Sequence, residues 1–318
     1  MINKGLVVIP TQGFANRMKI IASAKIYADD HNLELIVCWI PSEECNINLE
    51  DIFVANFFNT ITLESLQKTK YCYFGRVHTN SLFDKLDSAI NDPIENFDYI
   101  LLEGGHEFCE IKRLEFLSKK REFYRSLQFK SEINDRVNEF FYKIDNKPKI
   151  GIHYRDIIGR FDQLDIDNNH VVNFTENSPL ESFKNTINKL KNYDLNHFIV
   201  VSNSDKAINY LSEHITNISF LVTETSKYDR NNKADMIDSV VDFLILSKCD
   251  MIIGSYFSSF SDEASFFNVI PKVTPLSNNL IGNISETVRN YHCMNYSFID
   301  NIAALNYNDK MFIDEFKL

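Results

Sequence analysis

Short apolar runs alternate with amphipathic segments along the first half of the chain. The apolar runs are of strand length and predict β-strands at residues 5–9, 33–39, 71–74 and 99–102. The amphipathic segments carry their apolar residues on one face of a helical repeat and predict α-helices at 15–30, 113–125 and 131–142. Between them, the polar stretch 41–53 predicts a loop that ends in a helical turn.

A second alternating series follows the polar, proline-containing stretch 143–149, which we interpret as a linker. The pattern predicts strands at 150–153, 198–202, 219–222 and 251–253, and helices at 179–190, 205–212, 234–246 and 262–267. Alternation of strands and helices indicates parallel sheets with helices on both faces. We therefore predict an α/β protein with two Rossmann-like domains, residues 1–146 and 147–318, that face each other across a cleft. The less regular tail, 276–318, is expected to pack back on either domain.

Charge and cysteine content narrow the function class. The formal net charge is −11, so a nucleic-acid-binding role is not expected, and an anionic ligand needs locally concentrated basic groups. None of the six cysteines forms a C-x-x-C pair. We therefore expect the cysteines to be small buried side chains, and we expect neither a zinc site nor a disulfide framework. We expect no signal peptide, and no apolar stretch approaches the about 18 residues that a membrane span requires. We expect a cytoplasmic protein without a membrane span.

The first candidate segment for ligand binding is Q-G-F-A-N-R, residues 12–17, between a predicted strand and a predicted helix. Gly13 permits close approach of the backbone, and Asn16 and Arg17 open the helix, whose free N–H groups favour an anion or sugar hydroxyls. The segment matches neither the dinucleotide fingerprint nor the P-loop. An ordinary strand–helix turn is the alternative interpretation.

The second candidate segment is I-G-I-H-Y-R-D, residues 150–156. His153 and Arg155 alternate along a strand end and so point to one side, where an arginine can bind a diphosphate through two hydrogen bonds. The alternative is a structural ion pair, for example between Arg155 and Asp156.

Two further segments lie in the last third of the chain. Asp242 belongs to an amphipathic helix and needs a partner, which the N1–H and N2–H₂ donors of guanine could supply; a helix cap or an internal ion pair is the alternative. Ser258 and Ser259 follow a strand and predict a phosphate-binding turn. For these serines the alternative is an ordinary helix start with the N-cap at Ser261.

In order and spacing, these segments resemble the GDP-fucose-dependent fucosyltransferases: the nodulation fucosyltransferase, the α-1,6-fucosyltransferases and the protein O-fucosyltransferases, here of a bacterial or viral type. The resemblance spans about residues 5 to 270. The matched positions are Gly13, Asn16 and Arg17 of a G-x-x-N-R turn, Trp39, Pro41, Glu44, Cys45 and Asn46 of W-x-P-x-x-E-C-N, His153 and Arg155 of H-x-R, Arg230, Asp242, Leu246 and Ser247 of a helical motif, and Ser258 and Ser259 of a phosphate turn.

The resemblance implies a GT-B arrangement with an acceptor-side N-terminal domain and a C-terminal domain that binds the GDP-sugar. It implies that His153 and Asp242 hold guanine, that Arg155 holds the β-phosphate and acts in catalysis, and that Ser258 and Ser259 hold phosphate oxygens. The remaining substrate-binding positions are Gly13, Asn16, Arg17, Arg230 and Phe260. No metal and no cofactor other than the GDP-sugar donor is implied.

The expected function is therefore inverting, metal-independent transfer of fucose from GDP-fucose to a hydroxyl of a glycan or glycoconjugate. One position departs from the family: Asp156 stands where many members carry a second arginine, and Arg160 is a candidate replacement. Because of this departure, a transferase for another GDP-sugar and a non-catalytic GDP-sugar- or glycan-binding protein stay open as alternatives. Glu44 and Glu103 are both candidates for a general base.

Overall fold

The structure is a computed structural model that describes residues 5–76, 97–109, 111–144, 148–156, 178–191, 197–215, 218–220, 229–256 and 258–275. Its contacts divide the chain into two compact units. Unit 1 comprises Met1–Asn134 and Asp229–Val240, and unit 2 comprises Asp135–Tyr228 and Val241–Leu318. The domain boundary at residues 146 and 147 stays a prediction.

Unit 1 is built on a four-stranded parallel sheet in the order β2-β1-β4-β3. Its strands are β1 (Gly5–Pro10), β2 (Glu34–Val37), β3 (Tyr71–Arg76) and β4 (Tyr99–Gly104). Its helices are α1 (Phe14–Asp30), α2 (Leu49–Ile52), α3 (Leu63–Leu66) and α4 (Arg113–Ser126). The next helix, α5 (Ser131–Tyr142), crosses the unit boundary.

Burial explains why the long elements of unit 1 were predictable. Most apolar residues of β1 and β4 are buried, and α1 is buried on most of its surface, including the charged residues Arg17 and Lys19. The short helix α3 was not predicted. Thr62 caps it by accepting a hydrogen bond from the Ser65 amide at 3.1 Å, and so short a helix carries no apolar repeat.

Unit 2 is built on a five-stranded parallel sheet in the order β7-β6-β5-β8-β9. Its strands are β5 (Lys149–Tyr154), β6 (His197–Ser202), β7 (Ile218–Phe220), β8 (Met251–Gly254) and β9 (Lys272–Val273). Its helices are α6 (Leu180–Lys191), α7 (Asp205–His214), α9 (Ser259–Asn268) and the C-terminal part of α8 (Lys233–Ser247).

Helix α8 packs directly on the central strand of unit 2. A side chain at Gly151 would place its Cβ 2.7 Å from the Leu246 side chain and 3.1 Å from the Cys249 sulfur. The absence of a side chain at Gly151 therefore lets the helix approach β5 closely.

The predicted alternation of strands and helices is confirmed, and both sheets are parallel. The alternative helix start at Ser261 is wrong, because α9 begins at Ser259 with Ser258 as its N-cap. Strand β9 was not predicted, since two residues carry no detectable pattern. Residues 77–96, Arg160, Cys293 and the tail 276–318 lie outside the described residues. Within the described part of the chain, no helix has the length and apolar character that a membrane crossing requires.

Candidate functional site

The topology of unit 2 creates a candidate binding position at the carboxyl ends of β5 and β8. Strand β5 pairs with β6 on one side and with β8 on the other, so the direction in which the chain adds strands reverses at β5. Ligands of open parallel sheets bind at such a reversal, outside the carboxyl ends of the strands. His153 pairs with Gly254 at this edge, and Arg155 and Ser255 follow.

His153 is a neutral side chain packed under the start of α9. It is only 7% exposed, and its ring stacks on Phe260 with 5.0 Å between the ring centroids. The imidazole Nδ1 lies 3.4 Å from the Ser258 hydroxyl oxygen. Burial, together with the positive charges of Arg155 and Lys272, lowers the pKa of His153 to about 3. The ring therefore offers one hydrogen-bond donor and one acceptor near neutral pH.

Ser255 joins the ends of the two strands. Its amide donates to the His153 carbonyl at 3.0 Å, and its hydroxyl accepts a hydrogen bond from the Arg155 amide at 2.9 Å. This pair of bonds fixes the backbone at His153 and Arg155 relative to β8. Sequence reasoning did not single out Ser255, although a serine that directly follows an apolar strand was a usable signal.

The N-terminus of α9 lies at the same edge. Ser258 is its N-cap, but the serine hydroxyl makes no capping hydrogen bond and lies toward His153 instead. Ser258 is buried, whereas Ser259 and Phe260 in the first turn are partly exposed. First-turn N–H groups that are not capped by a side chain suit an anion.

A buried ion pair neutralises the acidic residue in this first turn. Asp262 and Lys272 are 5% and 4% exposed, and the Lys272 ammonium binds the Asp262 carboxylate. The lysine stem passes the end of β8, where a Cβ at Gly254 would lie 2.6 Å from Lys272 Cε. The pair removes the repulsion that a lone carboxylate would exert on an anion at the helix start. Lys272 was not predicted as part of the site.

Asp242 lies on α8 and is completely buried. The next residue, Phe243, makes a T-shaped contact with Phe260, with 5.5 Å between the ring centroids. Phe260 thus contacts both the His153 ring and helix α8. The role of Asp242 as the guanine acceptor stays a prediction.

The departing position, Asp156, is anchored on the β6 side of β5. Its amide donates to Asn203 Oδ1 at 2.8 Å, and its carbonyl accepts from Asn203 Nδ2 at 2.8 Å. The carboxylate accepts a hydrogen bond from the Ser204 hydroxyl at 3.2 Å. Because Ser204 is the N-cap of α7, Asp156 links the end of β5 to that helix.

The G-x-x-N-R turn occupies the equivalent reversal in unit 1, between β1 and β4. Gln12 has a left-handed backbone conformation, with φ of 67°. Its side-chain oxygen accepts from Asn16 Nδ2 at 2.7 Å, and its carbonyl accepts from Arg17 Nε at 2.9 Å. Gly13 is the N-cap of α1 and has no side chain to cap the helix. Asn16 and Arg17 therefore stabilise the turn itself.

Arg17 has a structural role that the sequence pattern did not predict. It is 1% exposed, and besides the bond to Gln12 it donates from Nη1 to the Ile40 carbonyl at 2.8 Å and from Nη2 to the Ser42 hydroxyl at 2.9 Å. Its guanidinium also lies 4.5 Å from the centre of the Trp39 ring. Burial lowers the pKa of Arg17, while Cys45 and Glu44 oppose that shift. Its predicted part in substrate binding stays a prediction.

Arg230 comes next to this turn although it is distant in sequence. A Cβ at Gly13 would lie 3.7 Å from Arg230 Nη1. Asn46 holds the segment in place: its amide donates to the Arg230 carbonyl at 3.0 Å and its side chain donates to the Asn231 carbonyl at 2.7 Å. The structure therefore brings the matched positions Gly13, Asn46 and Arg230 together in unit 1.

Cys45, in the same loop, is a structural thiol. It is fully buried, and burial raises the pKa of Cys45 to about 11 despite the opposing charges of Arg17 and Arg230. Across the described residues, no group of three histidine, cysteine, aspartate or glutamate side chains could hold a metal ion.

Comparison of the sequence with protein-family models gives no match, and comparison with curated proteins gives no significant match. The fold, however, is similar to solved fucosyltransferases. NodZ alpha-1,6-fucosyltransferase soaked with GDP-fucose is 15% identical, with a TM-score of 0.56 over 83% of this chain and 93% of that chain. POFUT1 in complex with GDP is 14% identical, with a TM-score of 0.55 over 86% of this chain and 99% of that chain.

A variant of FUT1 from Arabidopsis thaliana in complex with GDP is 13% identical, with a TM-score of 0.58 over 87% of this chain and 72% of that chain. At these identities the likeness shows the fold, and the α/β, GT-B-like fold class expected from the sequence is confirmed.

Proposed function

We propose that this protein is a glycosyltransferase that moves fucose from GDP-fucose to a hydroxyl group of a glycan or glycoconjugate, with inversion and without a metal ion. The observation that carries the proposal is the meeting of His153, Arg155 and Ser258 at the carboxyl ends of β5 and β8. The names of the structural neighbours support it, since they are fucosyltransferases and two of them are GDP complexes.

Guanine recognition is assigned to Asp242 and His153. A carboxylate accepts hydrogen bonds from both N1–H and N2–H₂ of guanine, a donor pair that adenine and uracil do not present. The neutral imidazole of His153 can exchange a further hydrogen bond with the base without introducing charge. Phe260 stacks on the His153 ring and so holds that ring in position.

The diphosphate is assigned to Arg155 and the start of α9. The guanidinium fork of Arg155 matches two phosphate oxygens, and the first-turn N–H groups with the Ser258 and Ser259 hydroxyls bind the remaining oxygens. Lys272 holds the Asp262 carboxylate in an ion pair, so the helix start keeps its preference for an anion. These groups supply the positive field that a metal ion would otherwise provide.

The reaction is a substitution at the anomeric carbon of the donor sugar. The acceptor oxygen attacks that carbon from the face opposite the diphosphate, and the bond from carbon to the β-phosphate oxygen breaks. The electron pair of that bond leaves with GDP, while the acceptor hydroxyl loses its proton to a base. Arg155 stabilises the negative charge that grows on the leaving group, which makes it the catalytic residue of the donor side.

Unit 1 is assigned to the acceptor. Gly13, Asn16, Arg17 and Arg230 lie together at the carboxyl edge of its sheet. The turn offers uncapped helix N–H groups, and Arg230 adds a guanidinium beside Gly13, so hydroxyl groups of a sugar find both donors and a positive charge there. A cytoplasmic location stays a prediction.

Titration calorimetry tests the donor assignment. We expect the protein to bind GDP but not ADP or UDP with comparable affinity, and Asp242→Ala to weaken GDP binding by about 1–3 kcal/mol, the cost of leaving buried donors unpaired. Glu213→Ala, at an exposed acid on α7, is the matched control and should leave GDP affinity unchanged. Equal affinity for ADP and GDP in the wild type would contradict the assignment.

A binding protein without activity is the second candidate, favoured by the acidic residue at position 156, which is hydrogen-bonded to Asn203 and Ser204. Incubation with GDP-fucose alone separates the two candidates. A transferase releases GDP slowly as water replaces the acceptor, whereas a binding protein returns the donor intact. A panel of GDP-sugars in the same assay identifies the donor sugar.

A further inference from the structure

Arg155 lies just beyond the last paired residues of its strand. Tyr154, the last residue of β5, pairs with Ser202 of β6. The pairing of β5 with β8 ends one residue earlier, where His153 meets Gly254. The register of the sheet therefore does not extend to the backbone of Arg155, and side chains of the neighbouring strands take over that task.

The peptide group before Arg155 is held at both of its ends. Its carbonyl, which belongs to Tyr154, accepts a hydrogen bond from the Ser202 hydroxyl at 2.8 Å. Its N–H, which belongs to Arg155, donates to the Ser255 hydroxyl at 2.9 Å. Ser202 is the last residue of β6 and Ser255 directly follows β8, so the strands on either side of β5 fix this plane between them.

The peptide group after Arg155 is held by the side chain of Asn203. Its N–H, which belongs to Asp156, donates to Asn203 Oδ1 at 2.8 Å. Asn203 Nδ2 donates in turn to the Asp156 carbonyl at 2.8 Å. Because peptide groups are planar, fixing the planes on both sides of a residue fixes its two backbone dihedral angles. Asn203 therefore completes the restraint that sets the direction of the Arg155 side chain.

The surroundings of Asn203 show that helix α7 does not depend on this side chain. Asn203 is exposed, and both hydrogen bonds described for its side chain join Asp156. Ser204 caps α7 by accepting from the Ala207 amide at 3.4 Å, and the Ser202 hydroxyl accepts from the Ser204 amide at 3.2 Å. Since exposed polar contacts add little to stability, the contact of Asn203 with Asp156 is better explained by what it orients.

We propose that Asn203 is a positioning residue for Arg155, which directs the guanidinium toward the β-phosphate of the donor. This inference rests on the proposed function, in which Arg155 stabilises the charge on the leaving diphosphate. A donor that is held in place before the reaction needs no reorganisation when that charge grows. Every residue of the restraint belongs to unit 2. The backbone of Asp156 thereby gains a role that does not require its carboxylate to contact the donor sugar.

Titration calorimetry with GDP and GMP tests the inference, because the two nucleotides differ only in the β-phosphate. Asn203→Ala should weaken GDP binding by about 3–10-fold, roughly the net contribution of one hydrogen bond, and leave GMP binding unchanged. Arg155→Ala should weaken GDP binding more strongly, again without affecting GMP. Adding Asn203→Ala to Arg155→Ala should have no further effect, because Asn203 acts through that arginine. Asn209→Ala, at another exposed asparagine on α7, is the matched control and should bind both nucleotides like the wild type.

GDP release from GDP-fucose, with water as the acceptor, gives a second readout. Asn203→Ala should lower kcat by about 10–10²-fold, up to the cost of misplacing a group by about 1 Å, and change the donor KM less. Unchanged GDP binding in Asn203→Ala, or an equal loss of GMP binding, would overturn this inference alone when Arg155→Ala weakens GDP binding selectively. If Arg155→Ala does not weaken GDP binding selectively, the diphosphate assignment of the proposed function is wrong and this inference is wrong with it.

Discussion

Replacing Arg17 with methionine separates a structural role from a substrate-binding role. The guanidinium is buried, all three of its nitrogens donate to protein oxygens within 2.9 Å, and it lies over the Trp39 ring. Methionine keeps much of the side-chain volume but removes the charge and every donor. The acceptors on Gln12, Ile40 and Ser42 would then lose their partner.

The expected loss can be estimated from these contacts. Each hydrogen bond from a charged donor contributes about 1.5–3 kcal/mol, and the contact with tryptophan contributes about 2 kcal/mol when desolvated. Burying the guanidinium costs several kcal/mol, which offsets part of that sum. We expect Arg17→Met to lower the free energy of unfolding by about 3–5 kcal/mol, as for the removal of one member of a buried charged network.

Urea unfolding followed by circular dichroism measures this loss. Lys25→Met is the matched control on the same helix, because Lys25 is 40% exposed and its partner among the described residues is Asp29. It should cost less than about 0.5 kcal/mol. A loss below about 1 kcal/mol in Arg17→Met, combined with loss of GDP-fucose turnover, would refute the structural role and favour substrate binding.

Three other predictions follow from unit 2. Lys272→Met leaves the Asp262 carboxylate buried without its cation and should cost about 3–5 kcal/mol in urea unfolding, whereas the double variant with Asp262→Leu should recover part of the loss. The unfolded chain protonates His153 below about pH 6.5, whereas the folded protein does so only near pH 3. The free energy of unfolding should therefore fall as the pH decreases between these values, by up to about 1.4 kcal/mol per pH unit. The unfolding curves of His153→Gln should lack this pH dependence. Arg155→Lys keeps the charge but loses the planar fork, so in steady-state GDP release it should lower kcat more than it raises the donor KM; an unchanged kcat would remove Arg155 from catalysis.

Local patterns in the sequence predicted the elements that bury a continuous apolar face. They also predicted that His153, Arg155 and Ser258 lie at a strand end or helix start, where the structure has them, because residues that follow strands of one parallel sheet meet at one edge. The part of these residues in binding stays a prediction. What they could not reveal were contacts between distant segments. The Asn46 side chain binds the Asn231 carbonyl across 185 positions, and Lys272 reaches Asp262 from a two-residue strand.

Substitutions at single positions were also hard to interpret from sequence. Asp156 was expected to bear on the donor sugar, yet its described partners are Asn203 and Ser204 at the end of β6. Arg17 was predicted to bind substrate, which stays a prediction, and the structure adds that its nitrogens donate to the turn and the following loop. In both cases the deciding information is the direction of a side chain, which depends on packing that the sequence pattern does not record.

The most direct test of the account is the fate of GDP-fucose in the presence of the protein and excess EDTA, followed by proton NMR. We expect release of GDP, a sugar product that first appears with the anomeric configuration opposite to that of the donor, and loss of both signals in Arg155→Ala. A donor that stays intact, a product that keeps the donor configuration, or a strict requirement for an added divalent metal would contradict it.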